Sequence, residues 1–550
     1  MKKLLYSLAA VAMTVSVSLT ACATPAPSLT PTVTPTATAA PTVKASPTTI
    51  PKPAVDPTLT PQYGGILKVI VGAGGVTKLG SPAEGTVSTP AYAKAARPVI
   101  QGLLRLDTNE RLVPELATSW DITADGKSII FHLRKGVKFH DGTAFSAEAV
   151  RYALKNGPPA AATTMAKVSS IDIVDDYTLR LNLTQFDANL LPQLAYTSVG
   201  MVPSPTATAK PTTPERMASD HMVGTGPFKF VSYQQNVNIK YERFDGYWEK
   251  SKPYLDGLEM LEIADETTRL LAFKKGDAHL MDVSPTDAKE LAALGYEITP
   301  GDMLSFEGIY PDSANPDSPF VDKRVREAVE YAIDKKAIAQ TLGAGYYEVL
   351  TQYAKPTDAR YAQGLVPRNY DPNKAKQLLA SAGYANGFKT RIFASTATNT
   401  DILVALQSYL KAAGIDATLE RGIPAKHTSL SQEGFRNGLF VANPAPAGDL
   451  GGFVRNFGAL GPSGSGIGFN RSMLRPAGLI EKLDAVVAQP DEAKRVVQMG
   501  EIMKLIFDEA IAIPLWASVR LTAADKKVHD LRWNKGHGNL WTPADAWLSK

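Results

Sequence analysis

Hydrophobic and polar positions change period several times along this chain, and each period predicts an element. Thr178–Thr184 alternates, which puts Leu179, Leu181 and Leu183 on one face of a strand. Phe131-His132-Leu133-Arg134 alternates over fewer positions, and Ile66–Val71 is a short apolar run of strand type. Across Asp322–Gln340 the period lengthens. Val325, Ala328, Val329, Ala332 and Ile333 follow the i, i+3, i+4 spacing of a buried helical face. Asp371-Pro372 reads as a helix cap followed by proline at the first helical position, with Ala375, Leu378 and Leu379 facing inward and Gly383 as the stop. Ser146 is placed to cap a helix carrying Ala149, Val150 and Ala153. Strands and helices alternate irregularly, which predicts an α/β class with some α+β character.

The N-terminal pattern is different. Lys2 and Lys3 precede an apolar stretch, Leu4 to Leu19, that Ser and Thr interrupt, and small residues then lead to Cys22, the only cysteine of the chain. This reads as a secretory signal rather than a membrane span. Leu19-Thr20-Ala21-Cys22 resembles the bacterial lipobox, which implies cleavage before Cys22 and a diacylglycerol thioether on it. The other reading is an ordinary signal peptide with a buried cysteine. With Cys22 lipidated, no thiol remains for a disulfide, a zinc cluster or a nucleophile.

Residues 23–61 are almost entirely Pro, Thr, Ala, Val and Ser. Such a segment lacks the apolar surface to offset chain entropy, so residues 22–61 read as a semi-rigid stalk, on the order of 100 Å long if fully extended. The body after it exceeds one ordinary core, so two or more lobes are expected. Removing residues 1–21 takes away two lysines, so the 58 basic residues fall to 56 against 54 acidic ones, a net charge of +2. No basic run or aromatic-basic stripe accompanies it, which argues against nucleic acid as a partner.

Several motifs occur in order along the body. Pro114-Glu115-Leu116-Ala117-Thr118-Ser119-Trp120 is followed by Phe131–Thr143, with His140-Asp141-Gly142-Thr143 at its end. Gly224-Thr225-Gly226-Pro227-Phe228, Tyr247-Trp248, Phe320–Val329 with Ala332-Ile333-Asp334-Lys335, and Ile513-Pro514-Leu515 come next. This series resembles the family 5 extracellular solute-binding proteins of ABC importers, the dipeptide, oligopeptide and nickel binders. The resemblance implies a two-lobed, type II-like periplasmic-binding-protein clamp of α/β class, with an extra subdomain inserted in lobe I. Carried over by order, lobe I holds residues 62–300 and 512–550, its inserted subdomain about 105–195, and lobe II residues 301–511. The chain then crosses between lobes twice, and the lobes close around a ligand by hinge bending. The implied protein is an extracytoplasmic receptor, anchored to the outer face of the cell membrane through Cys22 and monomeric. It takes a small-molecule or peptide ligand, delivers it to ABC permease subunits and uses no cofactor. A sensor or adhesion module built on the same fold is the alternative. So is an importer receptor for a saccharide, an opine-like compound or a chelated metal.

Candidate site residues follow partly from this resemblance. In the family the loop after the first strand lines the cleft, which makes Ser81 and Glu84 ligand neighbours. Tyr310 and Trp516 fall near the two crossings, where an aromatic ring can stack on a ligand. Peptide-binding members carry Gly-Trp and then an aspartate that pairs with the peptide ammonium. Here Asn443 stands at the tryptophan position, Pro446 replaces the aspartate, and Asp449 matches a later acidic position. The two glycines Gly224 and Gly226 permit positive φ and are hinge candidates. His140-Asp141-Gly142-Thr143 reads as a turn between strand and helix rather than an acid–base pair. The seven histidines form no close metal-ligand set. No Ser-His-Asp arrangement or cofactor fingerprint marks an enzyme. Gly72-Ala73-Gly74-Gly75 lacks the lysine and hydroxyl of a phosphate loop.

Overall fold

The structure, a computed structural model, describes residues 60–72, 78–84, 90–107, 111–158, 160–301, 305–396, 398–443, 450–458, 469–532 and 542–550. Cys22, the stalk, Asp449 and Pro446 lie outside the described residues.

Two large sheets organise the body. The first has seven strands in the order Glu297–Pro300, Leu521–Ala524, Leu280–Val283, Ile66–Val71, Gly257–Glu262, Asn238–Arg243 and Phe228–Gln234. Its central three, Leu280–Val283, Ile66–Val71 and Gly257–Glu262, run parallel, and the flanking pairs are antiparallel. The second has six strands in the order Glu348–Val349, Ile513–Ser518, Ser305–Pro311, Gly438–Ala442, Phe388–Ser395 and Ile415–Gly422. Both of its faces are covered. Along Gly438–Ala442 every residue is buried, with Leu439 and Val441 packed in one core and Phe440 and Ala442 in another. That is the two-residue period of a strand with apolar layers on both sides.

An inserted four-stranded antiparallel sheet, Ala117–Ile122, Ser128–Leu133, Thr178–Leu183 and Val168–Asp175, carries the alternating segments read from the sequence. Leu179, Leu181 and Leu183 all enter its core, beside Phe131 and Phe139. The helix after Ser146 spans Ala147–Lys155, but the Ser146 side chain makes no capping bond. Asp371 does cap Pro372–Ser381, accepting the Lys374 N–H, and Gly383 takes the positive φ of a helix stop.

The sequence pattern over Asp322–Gln340 is one helical face, but the chain makes two helices, Lys323–Ala332 and Lys335–Leu342. Ile333 is extended between them, and Asp334 starts the second by accepting the Ala337 N–H at 2.9 Å. The return to the first sheet also differs from the expected residue 512. Ile513–Ser518 still pairs with Ser305–Pro311, and only Leu521–Ala524 pairs in the first sheet. The chain therefore passes from the first sheet to the second between Pro300 and Ser305, and back between Ser518 and Leu521. The Gly301 N–H donates to the Arg520 carbonyl at 2.6 Å, which ties the two crossings together.

Candidate functional site

Parallel strands point their carboxyl ends the same way, and α/β sheets bind ligands in the crevice beyond those ends. Here Ile66–Val71 and its two parallel neighbours end at a cavity of about 250 Å³, whose lining includes Val71, Lys94, Glu262, Arg269 and Asp282. Lys94 Nζ lies 3.4 Å from Asp282, and Arg520, on the return crossing, lies 4.0 Å from the same carboxylate oxygen. Desolvation pushes the Asp282 carboxyl up, but Lys94, Arg520 and the Thr522 hydroxyl outweigh it and hold it below the usual carboxylate range. Arg269 spends one nitrogen on the Ile263 and Ala264 carbonyls. Glu262 accepts the Asn236 N–H at 2.6 Å, and its burial raises its pKa. Two cations, Lys94 and Arg520, thus meet Asp282, and Arg269 and Glu262 line the same cavity.

A second group of polar residues lies just past the outgoing crossing. Glu307 stands on Ser305–Pro311 opposite Trp516 in the strand register. Asn443, at the end of Gly438–Ala442, donates its Nδ2 to Glu307 Oε1 at 3.1 Å. Trp516 is fully buried and stacks on Tyr347, with ring centroids 5.9 Å apart and planes 7° apart. Its Nε1 has no hydrogen-bond partner. Burial pushes the Glu307 carboxyl up to about 7, against the opposing bond from Asn443. Sequence reasoning named Asn443 and Trp516 but missed Glu307. Its signal was there: a single carboxylate inside the apolar strand Phe306-Glu307-Gly308-Ile309-Tyr310.

The other candidates lie elsewhere. Tyr310 is buried in the core of the second sheet, its ring against Tyr353 and Phe457. Ser81 and Glu84 sit together and turn to a partner the sequence did not suggest. Ser81 donates its N–H and hydroxyl to Glu84 Oε2, and His221 Nδ1 lies 2.7 and 2.8 Å from the two oxygens of that carboxylate. Burial raises the Glu84 pKa, but the bonds from Ser81 and His221 prevail and lower it. A depressed carboxylate adds stability above its unfolded pKa that is lost as pH falls through the folded one. Glu84→Gln is therefore expected to cost about 1–3 kcal/mol at pH 7, with the deficit shrinking in acid. Urea midpoints at pH 7 and pH 4 check this.

Gly224 and Gly226 are at neither crossing, and neither has positive φ. They are glycine because the backbone passes too close for a side chain. A Cβ on Gly224 would meet the Val99 carbonyl oxygen at 2.2 Å, and one on Gly226 the Pro98 oxygen at 2.3 Å. His140 completes this junction, with its Nε2 2.9 Å from the Gly226 carbonyl and burial pushing its pKa down to about 4. Asp141 accepts from Ser204 and Thr143. The turn is scaffold, as its Asp-Gly predicts. Among the described residues no three His, Cys, Asp or Glu side chains group as metal ligands.

Inserted subdomain and second lobe also touch. The Ala188 N–H donates to the Val487 carbonyl at 2.9 Å. Gln193 lies over Gly451, where an added Cβ would stand 2.7 Å from its Nε2.

Comparison with known proteins agrees with this architecture. The family model "Bacterial extracellular solute-binding proteins, family 5 Middle" matches residues 111–458. The glutathione-binding protein GsiB of Shigella flexneri is 32% identical over 329 residues, which is 58% of this chain and 63% of that relative. The chain therefore matches less than two thirds of that relative's length. DppA of Helicobacter pylori, an ABC transporter-associated periplasmic binding protein solved with peptide STSA, superposes with a TM-score of 0.70 at 24% identity, covering 89% of this chain and 99% of that one. The PBP AgaA of A.tumefacien R10, solved with agropinic acid, gives 0.69 at 23% identity over 88% and 99%. These likenesses show the fold, a two-lobed clamp of α/β class with several sheets. By the match over most of its length, the chain belongs to the bacterial extracellular solute-binding proteins of family 5.

Proposed function

We propose that this protein is an extracytoplasmic, lipid-anchored receptor of an ABC importer, which closes two lobes on a small solute and delivers it to a membrane permease. The observation that carries this reading is the charged groups near the tied crossings: Lys94, Arg269, Arg520 and Asp282 beside the first sheet, and Glu307 on the second. A solute seated between them touches both lobes, so its binding favours the closed form. Residues 62–300 with the C-terminal segment form lobe I, and residues 301 to about 518 form lobe II. Peptides are the leading ligand class, in keeping with relatives that carry glutathione or peptide STSA in their names. The protein performs no chemistry, needs no cofactor and acts as a monomer.

The test is to purify the full-length chain in mild detergent, denature it, and identify released small molecules by mass spectrometry. A ladder of short peptides is the expected result. A single non-peptide compound would keep the receptor and change its ligand class. No captured solute in repeated preparations, with no solute raising the melting temperature, would overturn the reading. The anchor has its own test. Intact-mass analysis of the purified chain is expected to show loss of residues 1–21 and an added diacylglycerol, and Cys22→Ser is expected to show neither. A wild-type mass without the added lipid would refute the lipidation.

A further inference from the structure

Among the described residues Glu307 is a carboxylate with no ion-pair partner. It is half-buried, and its one side-chain partner among the described residues is the neutral amide of Asn443. That bond occupies Oε1 and leaves Oε2 without a partner among the described residues. No lysine, arginine or histidine is paired with it, although 28 ion pairs are found among the described residues. The sequence segments that adjoin it, 302–304 and 444–449, contain no basic residue either. The groups packed around it are the phenol of Tyr347 and the indole of Trp516, and on the neighbouring edge strand Glu348 is already held by Lys355 at 3.4 Å. On the register neighbour, Trp516 Nε1 is buried and unpartnered. The Glu307 carboxylate is on the third residue after Leu304, at the start of the strand that follows the passage between the sheets.

We infer that Glu307 is the residue with which the second lobe recognises a positively charged nitrogen of the solute, an ammonium or a guanidinium. This rests on the receptor reading above and names the ligand class of that site. Asn443 positions the carboxylate by holding Oε1, so that Oε2 meets the incoming cation. Tyr347 and Trp516 border the position, and aromatic rings beside a carboxylate suit an organic cation with apolar neighbours. Solute binding supplies a counter-charge that the described residues do not offer this carboxylate. Glu307 with its raised pKa also sets a direction with pH. Affinity for the cation falls as pH drops through about 7, because the carboxylate takes up a proton instead. In the free protein the sign is opposite. A carboxyl whose folded pKa is raised contributes stability at low pH that is lost as pH rises through about 7.

The experiment uses the full-length chain in mild detergent, wild type and Glu307→Gln, with two probes: a library of di- to tetrapeptides with free amino termini, and the same library N-acetylated and free of Lys and Arg. Binding is read by calorimetry, and solutes captured during expression are identified after denaturation. Wild type is expected to bind the free library and to lose roughly 30-fold or more on acetylation or on Glu307→Gln. Glu307→Asp is expected to retain part of the affinity. Glu307→Gln should melt at or above the wild-type temperature at pH 8, which shows that lost binding is not lost folding. Equal binding of both libraries, unchanged affinity of Glu307→Gln, or capture of a solute with no cationic nitrogen would overturn the inference and leave the receptor standing. Failure to bind either library and to capture any solute would overturn the receptor reading itself, and this inference with it.

Discussion

Arg97→Ala is expected to cost about 3–5 kcal/mol of folding stability, and Glu115→Ala a similar amount. The two side chains are 1% and 4% exposed and meet at 3.2 Å. Arg97 also donates to the Ala195 carbonyl, and Glu115 accepts the Gly102 N–H at 2.8 Å and the Gln101 amide at 3.4 Å. Burial pushes the guanidinium pKa down and the carboxyl pKa up, each opposed by the charge of the other. Removing either partner strands a charge in a medium that cannot hydrate it. Replacing both by apolar residues, Arg97→Met with Glu115→Leu, removes that penalty, so the double variant is expected to be more stable than either single one. Urea denaturation of the four proteins measures the cycle. Single variants within 1 kcal/mol of wild type would show that water reaches the pair and that the account is wrong.

Gly224→Ala is expected to be the other severe lesion, costing about 3 kcal/mol or more. Its Cβ would be 2.2 Å from the Val99 oxygen and 2.7 Å from the Ile100 Cα, both backbone atoms with no rotamer to yield. A hinge reading predicts something else: near-normal stability with altered solute affinity. Thermal melting with solute titration separates the two. A variant that melts normally but binds differently would restore Gly224 as a hinge.

Local rules made much of the body legible. The leucines of Thr178–Leu183, the Asp371 cap and the Gly383 stop depend only on neighbours within a few residues, and they came out as read. Ile333 failed because a helical stripe does not reveal where a helix breaks. Ile333 leaves the helical conformation and Asp334 caps the next helix, without disturbing the apolar spacing. Pro114-Glu115-Leu116-Ala117 was visible as a motif, but the buried arginine that explains its carboxylate is 18 residues away. The site was least legible because its contacts are long-range. Glu84 finds His221 across 137 positions, and Glu307 finds Asn443 across 136. Such pairings follow from strand order and register, which one sequence does not display.

The bond from Ala188 to Val487 joins main-chain atoms only. A main-chain contact is indifferent to which side chains those positions carry, and it shares no residue with Glu307, Asn443, Lys94 or Asp282. At this one point the two units are joined without any demand on the side chains that carry the charges, so those charges are open to substitution without loss of the bond.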